Sequence, residues 1–329
     1  MKQLTKLFIL SITCLISLLG IAACSSSDNE QIKKIGIVVP LENKALDEMV
    51  AGFSETLSAQ TKTPIKIKVV NAQGDMNLQR SMIQQMKDEH YSLIVPIGTV
   101  ATQMTAATIT NQHIVSLAAN FAEQERKARK NCNITVVHDE ISPKEIIQFI
   151  HQTYPDLKHL TLIHSTSDKI FPDVKTAVLA GKAIGIEIKP LMISTLNELY
   201  SVANALPDNT QGILILKDIM IASGISTLKM TAEKHHIPLI ASDQGSVQEG
   251  ALFAVGVHER EIGVDGANLA KEILAGKSDC SLPIVEMTKL TVFVNPSTLQ
   301  AQHQSIDNIQ QAANQFHYKI ELTGGQKNV

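Results

Sequence analysis

From Lys34 onward the chain alternates between short apolar runs and amphipathic segments, and this alternation limits the possible folds more than any other feature. The apolar runs are rich in Val and Ile, as in Ile35–Val39, which is typical of buried strands. The segments between them carry apolar residues at helical spacing, as Leu46, Met49 and Phe53 do. The order of strand, helix and strand predicts parallel sheets covered by helices.

The alternation stops at a densely charged segment, residues 123–130, and then starts again. With 329 residues the chain is long enough for about two domains. We therefore expect two α/β lobes of similar topology, the second with a helix over Ala222 to His235. The charged segment is interpreted as a solvated surface; the alternative is a contact with a partner protein.

Composition and motifs exclude several classes of function. The net charge of -3, the absence of Trp and the 4% aromatic content argue against nucleic acid as a partner. The sequence contains no Walker A loop, no GxGxxG or GxSxG motif, and no Cys or His spacing typical of a metal site. We expect no enzyme activity, no cofactor and no metal.

The N-terminus has the pattern of an export signal. Lys2 and Lys6 precede the apolar run Leu7 to Leu19, and Ala22-Ala23-Cys24 follows. This end resembles the lipobox of bacterial lipoproteins, which implies a signal peptide over residues 1–23 and acyl chains such as palmitate on Cys24. Residues 24–32 would be a polar tether. The alternative is an ordinary signal peptide that contains a cysteine.

Export would leave two thiols, Cys132 and Cys280, which can pair in an oxidising compartment. Their spacing does not show whether they do. The protein is expected in the cell envelope, exported and held at a membrane by its lipid; whether this is the inner or the outer membrane stays open.

The turn Ile97-Gly98-Thr99 is the strongest candidate for a binding element. It follows the apolar run Leu93–Val95 and precedes a segment, Val100 to Ala107, that is compatible with a helix. The first N–H groups of such a helix have no partner within it and attract an anion such as a carboxylate. In open parallel sheets, ligands bind at this end of the strands. The alternative is that the turn only reverses the chain.

Several polar segments that follow predicted strands resemble one protein family in their order and spacing. The segments are Asn71–Asp75, Ile97–Thr99, Ala241–Asp243 and Glu249–Leu252. The family is the substrate-binding lipoproteins of ABC importers that take up tryptophan and related amino acids (TrpX-like). The resemblance covers roughly residues 33 to 300.

The resemblance implies a type I periplasmic-binding-protein fold, in which two Rossmann-like lobes with parallel sheets are joined by a hinge of three crossings. Lobe 1 would hold residues 33–135 and 258–284. Lobe 2 would hold residues 136–257 and 285–320. Residues 321–329 are expected to form a disordered tail.

The resemblance also implies where a ligand binds. Its carboxylate would bind at Thr99, Val100, Ala101 and Thr102, and its amino group at Asp218, whose alternative role is that of a helix N-cap. Further candidates at the ends of strands complete the predicted site: Glu42, Asn43, Asn120, Ser165 and Asp243. Ile219-Met220 departs from the family pattern, and a pocket with Met220 would suit a branched or different side chain.

The family function is that of a non-enzymatic receptor that delivers a small solute, here an amino acid, to ABC permease subunits. One alternative is a solute sensor or partner-binding lipoprotein without a transport role. Another is an exported hydrolase, for which the sequence offers no paired Ser-His or Cys-His motif.

Overall fold

The computed structural model describes residues 32–61, 63–129 and 132–324, and the side chain of Cys280 is not among the described parts. The predicted signal peptide, Cys24 and the tether as far as residue 31 lie outside the described residues, as do residues 325–329. Cys132 is disulfide-bonded.

The first lobe is built on a six-stranded sheet in which every strand pair is parallel. Its strands are β1 Lys33–Val39, β2 Ile65–Asn71, β3 Leu93–Pro96, β4 His113–Leu117, β5 Ile134–His138 and β11 Val285–Glu286. Its helices are α1 Lys44–Gln60, α2 Met76–Asp88, α3 Thr99–Thr108, α4 Glu123–Ala128 and α11 Glu259–Leu274, with a short 3-10 helix at Asp279–Ser281. The strand order is β11-β5-β4-β3-β1-β2.

The second lobe is built on a seven-stranded sheet. Its strands are β6 His159–Ser165, β7 Glu187–Ile193, β8 Ile213–Ile215, β9 Leu239–Ala241, β10 Phe253–Gly256, β12 Thr291–Val294 and β13 Lys319–Leu322. Its helices are α5 Pro143–Thr153, α6 Phe171–Ala183, α7 Glu198–Asn204, α8 Ile219–Ala222, α9 Ile225–His235, α10 Gln244–Glu249, α12 Pro296–Ala301 and α13 Ile306–Phe316. The order is β13-β12-β10-β9-β8-β6-β7, and β10 and β12 form the antiparallel pair.

The chain passes three times between the lobes. The crossings are residues 139–142, 257–258 and 287–290. The first sheet therefore includes β5 as far as His138 and all of β11, a few residues beyond the predicted boundaries at 135 and 284. The apolar run of β5 is buried through Val137, and the crossing begins only where that run ends.

Helices cover both faces of each sheet, as the alternation of the sequence predicts. In the first lobe α1 and α11 pack on the same face and bury Phe53 and Ile262 completely. The two helices approach so closely that a Cβ added at Gly263 would lie 2.1 Å from the carbonyl oxygen of Met49. Glycine is required at this contact because any side chain would push the helices apart.

Three expectations need correction. The charged segment is not a uniformly solvated surface, since Arg126 is only 4% exposed and donates to the carbonyl oxygens of Asp279 and Leu282. The helix predicted over 222–235 begins only at Ile225, because Ala222 is the last residue of a separate short helix, α8. The disordered tail does not begin at residue 321, because β13 extends to Leu322 along β12.

Candidate functional site

The predicted site residues lie at the carboxyl ends of strands in both sheets, and the two sets meet between the lobes. The Ser223 hydroxyl of the second lobe donates to the Glu42 carbonyl oxygen of the first (3.1 Å). A Cβ added at Gly98 would lie 3.3 Å from Cδ1 of Ile219, which also packs against the first-lobe core. The turns after β1 and β3 therefore face α8 directly. We call the space between these strand ends the cleft.

The turn after β3 has the geometry that the sequence predicts. Gly98 has a φ of 85° and a ψ of 158°, a backbone conformation that essentially only glycine adopts. Its N–H donates to the Leu117 carbonyl oxygen (2.8 Å), which fixes the turn against β4. In the described part of the chain, the N–H groups of Thr99, Val100 and Ala101 have no hydrogen-bond acceptor. These first-turn donors can bind an anion.

The side chains of α3 take different parts in this turn. The Thr99 hydroxyl accepts a hydrogen bond from the Asn120 N–H (3.0 Å), and Val100 is exposed. Ala101 and Thr102 are buried, and the Thr102 hydroxyl donates to the Gly98 carbonyl oxygen and contacts the Ser116 hydroxyl. Thr102 thus stabilises the turn through its hydrogen bond to Gly98.

Asp218 lies on the opposite side of the cleft, next to Ile219. One carboxylate oxygen accepts the Ser165 N–H (2.7 Å), and the other accepts the N–H groups of Met220 (3.2 Å) and Ile221 (3.4 Å). The helix-cap role that the sequence left open is therefore present, and it fixes both α8 and the end of β6. The residue is 7% exposed, so its carboxylate is largely enclosed by these N–H groups.

Two further predicted residues also cap helices. The Asn43 side chain accepts the Leu46 N–H (3.0 Å) at the start of α1. The Asp243 carboxylate accepts both the N–H and the hydroxyl of Ser246 (2.7 Å each) at the start of α10, and burial raises the pKa of Asp243. The caps fix the positions from which the strand ends present their polar groups.

Sequence reasoning missed two charged residues at the first crossing, Asp139 and Glu140, and Lys217, which binds to that crossing. The Asn120 amide donates to the Glu140 carboxylate. Lys217, which precedes Asp218, donates to the carbonyl oxygen of Asp139 (2.6 Å) and to its carboxylate. The available signal was position, since Asp139 and Glu140 directly follow β5, just as the predicted residues follow other strands.

Glu259 was also missed, and it is buried at 1% exposure. It begins α11 at the second crossing, and its Oε1 accepts the Gln244 N–H (2.8 Å) of the second lobe. Burial, and secondarily the charge of Asp243, raise the pKa of Glu259 to about 8. Residues Lys217, Ser242, Asp243, Gln244 and Glu259 will be called the Glu259 junction.

No helix among the described residues is long and apolar enough to cross a membrane. They also contain no group of three or more His, Cys, Asp or Glu side chains placed to hold a metal ion.

Comparisons with known proteins agree with this architecture. A family model described as ABC transporter substrate binding protein matches residues 34–316. An uncharacterized protein of Rickettsia prowazekii (strain Madrid E) is 38% identical over 294 residues, covering 89% of this chain and 89% of that protein. A tyrosine-binding protein of Clostridioides difficile (strain R20291) is 27% identical over 296 residues, covering 86% of this chain and 85% of that protein.

Solved structures support the same fold. The crystal structure of an ABC domain from Streptococcus pneumoniae in complex with L-Trp matches with a TM-score of 0.78 and 20% identity, covering 88% of this chain and 100% of that chain. The predicted type I periplasmic-binding-protein fold and the predicted family resemblance are confirmed. The matched family consists of substrate-binding proteins and not of enzymes.

Proposed function

We infer that this chain, which belongs to the ABC transporter substrate binding protein family, is the receptor subunit of an importer and binds an amino acid between its two lobes. One similar protein is a tyrosine-binding protein and one similar structure is in complex with L-Trp, which supports an amino acid as the class of ligand. The proposal for this chain rests chiefly on the geometry of its cleft.

One observation carries the proposal: the free first-turn N–H groups of α3 and the carboxylate of Asp218 lie on opposite lobes at a point of direct contact. Gly98 precedes the first of these N–H groups, and Ile219 follows Asp218. Ile219 reaches Gly98, so the residue after the acid packs against the residue before the donor groups. This arrangement complements a zwitterion with its carboxylate toward α3 and its ammonium toward Asp218.

The chemistry of each end is specific. Backbone N–H groups at a helix start bind a carboxylate without a cationic side chain, aided by the helix dipole. Asp218 already accepts three N–H groups, and an ionised carboxylate has about four acceptor sites, so one remains for an ammonium N–H. Thr99, Asn120 and Glu42 would border the ligand on the first lobe, and Ser165 on the second.

Such a ligand would couple binding to movement of the lobes. It makes contacts to both lobes only when they are closed, so its differential affinity shifts the equilibrium toward the closed state. The three crossings are the segments in which this motion would occur. A permease would then recognise the closed form with its cargo.

Export and anchoring complete the proposed role. The Ala22-Ala23-Cys24 sequence and its preceding apolar run support processing after Ala23 and acylation of Cys24. A lipid on Cys24 would keep the receptor at the membrane that holds the permease. Intact mass measurement of the protein from its native membrane would test the acylation, since an unmodified Cys24 contradicts it.

Thermal denaturation against the twenty standard amino acids tests the proposed function. A ligand at a concentration of about 100 times its Kd stabilises the folded state by about 2.7 kcal/mol. We expect at least one amino acid to raise the midpoint by several degrees, and Asp218→Ala to abolish that increase. An absence of any increase at millimolar amino acid would refute the function.

A further inference from the structure

Two buried polar atoms in the Glu259 junction have no hydrogen-bond partner among the described residues: Oε2 of Glu259 and the hydroxyl oxygen of Ser242. Both side chains are 1% exposed. Buried polar atoms without a partner are rare in folded proteins, because each has lost its bonds to water without replacement. Oε2 of Glu259 requires an explanation in particular, because the other oxygen of the same carboxyl group accepts a hydrogen bond from the second lobe.

The position of Glu259 connects it with the cleft. Its helix, α11, packs on α1 of the first lobe, whereas its Oε1 accepts a hydrogen bond from Gln244 of the second lobe. Gln244 directly follows Asp243, a predicted site residue at the end of β9. The carboxyl group of Glu259 therefore points from the first lobe toward the strand ends of the second.

The charges around this junction are unequal. Lys217 is ion-paired with Asp139 and also acts electrostatically on Asp173, Asp243 and Glu259. Four acidic groups thus share the influence of one ammonium group, whose hydrogen bonds go to Asp139. Because Asp243 and Glu259 are buried, ionising both without a further cation is costly, and an additional cation would relieve that cost.

We propose that the Glu259 junction is a subsite for a cationic group of the ligand, which would enter while the lobes are open and contact Oε2 of Glu259 and the Ser242 hydroxyl when the lobes close on it. This inference rests on the proposed function, in which α3 and Asp218 hold the amino-acid backbone. The side chain that reaches the junction is then basic, so the ligand is a cationic amino acid such as lysine or arginine.

The proposal links binding to proton release. Without ligand, Glu259 is protonated at pH 7, because burial and the nearby Asp243 hold its pKa at about 8 while Lys217 opposes them. A bound cation favours the ionised carboxylate, so the proton leaves to the buffer as the ligand binds. The affinity should therefore increase as the pH rises toward 8 and change little above it.

Titration calorimetry of the full chain tests the proposal. L-lysine, L-arginine, L-leucine and L-tryptophan would be titrated at pH 7 in two buffers that differ in ionisation enthalpy. We expect a basic amino acid to bind at least about tenfold tighter than either neutral one. The difference between buffers should correspond to about one proton released per ligand.

Two substitutions test whether Glu259 is the group responsible for the affinity and the proton release. Glu259→Gln keeps an acceptor for the Gln244 N–H but cannot ionise, so it should lower the affinity for the basic ligand at least about tenfold and abolish the proton release. Glu261→Gln, in the same helix but exposed, is the matched control and should change neither.

The outcomes separate the two proposals. Tighter binding of a neutral amino acid, without proton release and without a response to Glu259→Gln, would refute the proposal that the ligand has a basic side chain. The receptor function would remain intact. Proton release is measured on the unaltered protein, so it tests the inference even if the variant folds poorly. Absence of binding by every amino acid would overturn the receptor function itself, and this inference with it.

Discussion

Glu259→Gln should stabilise the ligand-free protein, and the gain should increase with pH. The folded state holds the pKa of Glu259 at about 8, well above its ordinary value of 4.5. Between these two values the folded state binds more protons than the unfolded state, so stability falls as the pH rises through this window. Glutamine has no such proton, and the variant escapes this loss.

The expected size follows from the width of that window. Each pKa unit corresponds to about 1.4 kcal/mol. The variant should therefore exceed the unaltered protein in free energy of unfolding by about 1 kcal/mol at pH 5, about 3 kcal/mol at pH 7 and about 5 kcal/mol at pH 9. At pH 7 this corresponds to a rise in melting temperature of about 6 °C for a domain of this size.

Urea denaturation followed by far-ultraviolet circular dichroism measures the difference, since the chain contains no Trp for fluorescence. The exposed Glu261→Gln is the control, and it should lose less than about 1 kcal/mol through its weaker interaction with the α11 dipole. A gain that stays constant from pH 5 to pH 9, or no gain, would refute the claim that burial of an ionisable Glu259 costs stability.

Three other substitutions test the remaining geometry. Gly98→Ala should cost about 1–3 kcal/mol because alanine disfavours this backbone conformation, and it should weaken ligand binding because the added Cβ would press on Ile219; adding Ile219→Ala should restore the affinity. The control is Gly185→Ala, which also has a positive φ (80°) but no atom within 4 Å of an added Cβ, and it should leave the affinity unchanged. Asp218→Asn should cost about 2 kcal/mol in urea denaturation, because one N–H loses its acceptor, and calorimetry should show weaker binding; full retention of both would remove Asp218 from its two roles. Gly263→Ala should destabilise the first lobe by about 2 kcal/mol or more, because its Cβ would overlap the α1 backbone; an unchanged urea midpoint would contradict the close helix contact.

The sequence predicts the fold well because the fold depends on features that repeat along the chain. Apolar runs such as Ile35–Val39 recur between amphipathic segments, and each repeat gives the same strand and helix. The turn at Gly98 is predictable for a related reason, since its strand, glycine and helix start are contiguous. Asp218 caps a helix and also lies after a strand, and the sequence predicted both of these roles.

The parts that were missed depend on contacts between distant segments. Arg126 lies in a charged run that resembles any solvated surface, yet the carbonyl groups that it binds come more than 150 residues later, from Asp279 and Leu282. Glu259 is acidic and near a helix start, which is usually an exposed position; only the approach of Gln244 from the other lobe buries it. No local pattern reports such partners.

The same limit applies to the C-terminal strand. Residues 319–322 are polar and apolar in alternation, which is weak evidence for a strand when the neighbour is unknown. In the structure β12 provides that neighbour, and the N–H of Thr323 donates to the Val294 carbonyl oxygen (2.8 Å). Hydrogen bonds to β12 stabilise a strand that this short segment would not form by itself.

The interlaced path of the chain has a consequence for its synthesis. The first lobe takes α11 and β11 from residues 259–286, and the second sheet places β12 between β10 and the final strand β13. A ribosome that has made the first 250 residues has therefore completed neither hydrophobic core. Neither lobe can fold before its late segments have been translated. Nascent chains truncated at that length should therefore remain sensitive to protease.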